Sequence, residues 1–172
     1  DESIAHAIWI ARDTTSVANR MIKTLNDSDA ELTARLLVAM DSLDADSFTV
    51  SRLEALLSSV RALNREAVQS MYAGLSDELQ QLAQHEAGFQ LSLFQFAIPD
   101  DVLSLHPLVG ISPDAVYAAA MAQPFQGRLL SEWADNLEAD RMARISNTVR
   151  QGFLLGDTHE QIARKVRGHA NR

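Results

Sequence analysis

All four prolines of this 172-residue chain, Pro99, Pro107, Pro113 and Pro124, fall within one short window. Proline ends helices and is kept out of sheet interiors, so the window reads as a connector between two stretches that are free to run as long helices. Three regions follow: an N-terminal helical region over 1–97, a Pro-containing connector with a short helix over 98–127, and a C-terminal helical region over 128–172. Alanine and leucine supply 25 and 22 residues against 7 glycines, which favours helix throughout.

Apolar spacing sharpens this reading. Ile4, Ile8, Ala11, Ala18, Ile22 and Leu25 place an apolar face on a first helix, and Asn26-Asp27-Ser28 reads as its stop and the next cap. Leu32, Leu36, Ala39, Met40 and Leu43 define a second, ending in the turn-prone residues 44–47. Thr49 or Ser51 can cap a third, with Val50, Leu53, Leu57, Val60, Ala67, Val68 and Met71 inward up to Gly74. A fourth runs from Ser76 to Pro99 along a seam of Leu75, Leu79, Leu82, Phe89, Leu93 and Phe96, from which Phe94 departs. Ser112-Pro113-Asp114 opens a short helix ending near Ala122. A long helix then spans 128–155 to Gly156, and Thr158-His159-Glu160-Gln161 matches a capping box for a last helix to Gly168. No alternating pattern long enough for a strand occurs. The expected fold is all-α: an N-terminal antiparallel bundle or long helical hairpins, the connector, and a long C-terminal helix plus a short one.

The chemistry is sparse. There is no cysteine, no nucleophile elbow, no phosphate-cradling loop, no dinucleotide fingerprint and no His-Glu-x-x-His. The five histidines lack metal-ligand spacing, and the adjacent His85 and Glu86 point about 100° apart on a helix. Asp77/Glu78 and Asp100/Asp101 read as first-turn acids, and Glu138/Asp140 as local partners of Arg141 and Arg144. The chain is therefore read as a non-enzyme with no catalytic residue, no metal site and no cofactor.

Charge is uneven. The net of −8 divides into −10 over residues 1–127 and +2 over 128–172. An acidic body repels phosphate backbones, so DNA contact is expected only through the C-terminal basic stretch, in which Arg164, Lys165 and Arg167 cluster. No apolar run approaches the roughly 20 residues of a membrane span. The start, Asp1-Glu2-Ser3-Ile4, reads as an interior cut or a processed end.

One region is more specific. Pro124-Phe125-Gln126-Gly127-Arg128-Leu129-Leu130-Ser131-Glu132-Trp133 leads into Arg141-Met142-Ala143-Arg144-Ile145, then Arg150-Gln151-Gly152-Phe153, and then Gly156-Asp157-Thr158 with Ile162 and the basic run ending at Gly168. With Leu108-Val109-Gly110-Ile111-Ser112 before it, this region, mainly 108–168, resembles the phage head-morphogenesis family of Mu-type minor capsid proteins. Independently of any family, Gly152 and Gly156 permit a close backbone approach, and Thr158 restarts the chain in a new direction, a fixed helical corner with Phe125 and Trp133 packed on the N-terminal bundle.

The resemblance implies a low-copy virion protein inside the phage head, present in the host cytoplasm during assembly. Its partners would be the portal protein or the major capsid protein, with self-association open, and no membrane in the assembled head. It further implies that the family region continues beyond Arg172. Phe125, Gly127, Arg128, Trp133, Arg150, Gly152, Gly156, Thr158, Ile162, Arg164, Lys165 and Arg167 are the candidate corner or partner-binding residues. An ejected pilot protein forming a helical conduit for DNA is the alternative.

Overall fold

The computed structural model describes residues 2–42 and 50–168. Among these it contains six helices and no strand, so the fold is all-α. The helices are α1 (Glu2–Asp41), α2 (Val50–Ala97), α3 (Asp100–Leu105), α4 (Pro113–Ala122), α5 (Leu130–Leu155) and α6 (His159–Gly168).

Two expected breaks are absent. Asn26-Asp27-Ser28 lies inside α1, where the side chains of Asp27 and Ser28 make contacts that leave the helix intact. Asp27 accepts from Lys23 at 2.6 Å, and that hydrogen bond together with the carboxylate charge holds the Lys23 ammonium above its ordinary lysine pKa. Ser28 Oγ bonds the Leu25 carbonyl at 2.8 Å and accepts from Arg141 at 2.9 Å. Gly74 likewise sits within α2, where glycine costs a helix about 1 kcal/mol without stopping it. Asp77 and Glu78 consequently lie in mid-helix, away from any first turn, and Ser51 is inside α2 rather than capping it. Residues 44–47 and Thr49 lie outside the described residues.

The chain forms two compact units, and their limits differ from the proline-based divisions. One comprises the residues up to Tyr72 and from Ala134 onward, and the other spans 73–133, so α2 contributes to both.

The first unit has a continuous core. Leu32, Leu36 and Met40 of α1 meet Leu56, Leu57 and Val60 of α2, Met142, Ile145 and Val149 of α5, and Ile162, Ala163 and Val166 of α6. Burial of that many apolar side chains, each contributing roughly 1.5–3 kcal/mol, is what holds four helical segments together. Polar groups tie the same packing in register. Asn64 is fully buried and donates through Nδ2 to the Glu138 carbonyl at 2.9 Å, while Arg65 meets the Glu138 carboxylate at 3.2 Å. Arg141 reaches back to Asp29 of α1 instead of pairing with its neighbours on α5, as local spacing had predicted. Toward the start of α1 the expected apolar face is turned outward. Ile4, Ile8 and Ile22 are exposed, and Ile10, Val17, Met21 and Leu25 are the half-buried positions.

The second unit is held differently. Ser76 Oγ and the Tyr117 hydroxyl share a hydrogen bond at 2.5 Å that joins α2 to α4. Gly110 packs against Leu91, where a Cβ would stand 3.1 Å from Leu91 Cδ2. Pro113 occupies the first position of α4 after Ser112, as the sequence indicates. Ala83 is the only described residue of this unit that is fully buried. Phe96, assigned to the seam, is 84% exposed, and the half-buried apolar positions are Leu75, Leu79, Leu82, Phe89, Leu91 and Leu93.

Candidate functional site

The candidate residues form two separate pieces of structure, a tight turn before α5 and a corner after it. In the turn, Gln126 (φ 49°) and Gly127 (φ 79°) reverse the chain so that Phe125 and Arg128 exchange backbone hydrogen bonds of 2.8 and 3.2 Å. The long helix therefore starts at Leu130 and not at Arg128, and Glu132 accepts the Leu129 N–H at 2.7 Å in place of a capping hydroxyl. Trp133 folds back over this turn. Its Nε1 donates to the Phe125 carbonyl at 3.0 Å, and the Arg128 guanidinium lies 5.2 Å from its ring centroid. Phe125 and Trp133 are both exposed. The pair stabilises its own turn, and the sequence expectation that both would be packed away is corrected on this point, because the indole's hydrogen bond and cation are local.

The corner is built from backbone. At the end of α5, Asp157 N–H donates to the Gly152 carbonyl at 2.9 Å and Gly156 N–H to the Phe153 carbonyl at 3.3 Å, with Gly156 at φ 71°. This is the Schellman arrangement, which requires a left-handed residue where Gly156 stands. Thr158 then opens α6 with a reciprocal capping box. Its N–H donates to Gln161 Oε1 at 2.8 Å, and its Oγ1 accepts from the Gln161 N–H at 3.3 Å. Two short-range constraints set the direction of α6. Lys165 pairs with Asp157, and Ile162, fully buried, lies over Gly152 so closely that a Cβ there would be 2.4 Å from Ile162 Cγ1. His159 contacts Asp41 of α1 at 2.9 Å through Nδ1 and meets the Phe153 ring edge-on.

Arg150, Arg164, Lys165 and Arg167 are exposed. Of these, Arg167 lines a groove that sequence reasoning did not identify, an open cavity of about 290 Å³ between α1, α5 and α6. Its floor is apolar, formed by Leu25, Leu137, Ile145 and Val166. Its polar rim carries Arg141, Arg144 and Arg167 against a single carboxylate, Asp29, which already pairs with Arg141. The arginines come from two helices that the linear charge pattern could not place together. The C-terminal excess of positive charge was the available signal.

The arrangement suits binding. It presents cations, hydroxyls and apolar surface. No family model matches the chain, and neither a curated protein nor a solved structure matches it.

Proposed function

We propose that this protein is a helical component of a phage head, of the minor capsid kind, that binds the portal vertex or inner capsid during head assembly. Its role is association without a reaction. The observation that carries the proposal is the surface of the second unit. Phe96, Leu105, Val109, Ile111 and Phe125 are each more than two-thirds exposed or nearly so, within a segment that has almost no core of its own. Exposed apolar residues gathered on one segment are the usual mark of a surface that a partner covers. The resemblance over 108–168 falls largely on this surface and on the corner, which supports a head protein over other binding proteins. Among the described residues no helix is long and apolar enough to cross a membrane.

The test is incorporation. Val109→Ser and Phe96→Ser are expected to lower the copies of the full chain recovered in purified heads, measured by quantitative mass spectrometry, while helicity is unchanged. Normal incorporation of both variants would reject the proposed binding surface. Light scattering on purified protein addresses the pilot-protein alternative. Assembly into long oligomers that these substitutions abolish would replace the portal-binding reading with a self-associating conduit.

A further inference from the structure

We infer that the groove between α1, α5 and α6 binds an acidic, partly apolar peptide segment of a partner protein, independently of the apolar surface on the other unit. Charge complementarity identifies the occupant. The protein is acidic overall, yet this groove gathers three arginines around one aspartate. That aspartate is already engaged by Arg141, so the groove lining keeps an excess of positive charge on a chain of net charge −8. Among the described residues neither Arg144 nor Arg167 is paired with a carboxylate.

Arg141 is the fixed member of the three: it is 9% exposed, and its Nη2 is held by Ser28 and Asp29, so its charge is anchored in the groove lining.

The apolar floor decides between classes of anion. A nucleic-acid backbone is a line of phosphates best met by cations spread along a surface. Here the cations rim a short cleft floored by Leu137, Ile145 and Val166, which matches a segment presenting carboxylates beside a leucine-like side chain.

Fluorescence anisotropy with the full chain at physiological salt tests this. The probes are a short fluorescein-labelled peptide of glutamate and leucine, its glutamine-for-glutamate counterpart, and a labelled single-stranded oligonucleotide. The acidic peptide is expected to bind, and the Arg144→Gln/Arg167→Gln double variant, altered only at exposed positions, to bind it about tenfold more weakly, as loss of charge-assisted hydrogen bonds predicts. The glutamine peptide should show the same loss. Arg12→Gln, at an exposed position of α1 outside the groove, should change nothing. Four results would overturn the inference: no binding of the acidic peptide, equal binding by the double variant, an equal loss in Arg12→Gln, or oligonucleotide binding that depends on Arg144 and Arg167.

Discussion

Leu36 and Phe96 are both large apolar residues on long helices, and they end at opposite extremes, with Leu36 fully buried in the first unit and Phe96 84% exposed in the second. Around Leu36 four helical segments converge, so each apolar stripe finds others to pack against. Around Phe96 the elements are short and proline-punctuated. Six-residue α3 and ten-residue α4 are too small to cover the flank of α2. The same amphipathic signal produces a core where its partners are long helices, and an exposed apolar surface where they are not. The continuous core is thereby concentrated in the first unit, and the second keeps much of its apolar surface exposed.

That division can be broken by substitution. Leu36→Ala should show the largest effect, a loss of roughly 2–5 kcal/mol in urea unfolding, whereas Phe96→Ala should stay within about 0.5 kcal/mol of the parent. Comparable losses at both sites would show that the second unit has a core after all. Gly152→Ala comes next, at about 1–3 kcal/mol, because its methyl would overlap Ile162. In an Ile162→Ala background the sign should reverse. The clash is gone, and alanine's better helix propensity gains up to about 1 kcal/mol, so the double-mutant cycle reads the contact directly.

Thr158→Ala should lower the thermal midpoint modestly, corresponding to about 1 kcal/mol, through loss of the Gln161 cap. An unchanged midpoint would show that the Schellman turn and the Gly152–Ile162 contact fix the corner without it. Val109→Ser should have the smallest effect on stability, within about 0.5 kcal/mol, since the side chain is 92% exposed. If it destabilises the isolated protein strongly, Val109 is not part of a free surface.

The corner was legible because its determinants are local: a glycine where the chain must turn left-handed, then a Thr-x-x-Gln box within one turn. The short helix after Ser112-Pro113 was legible for the same reason. The groove was not, because Arg141 finds Asp29 112 residues away and that pairing has no sequence spacing to betray it. The continuity of α1 through residues 26–28 was hidden by the same contact. Ser28, which read as part of a cap, became with the neighbouring Asp29 an acceptor for Arg141 once α5 packed beside it.

Helix formation, the position of the connector, the turn at Gly156 and the restart at Thr158 were therefore determined by the amino-acid order alone, since backbone propensity and capping act within a few residues. Which face of each helix is buried, where two helices fuse into one, and which arginines share a groove were decided only when the helices packed. Those outcomes depend on long-range burial and charge pairing, whose free energies exceed the local preferences they override.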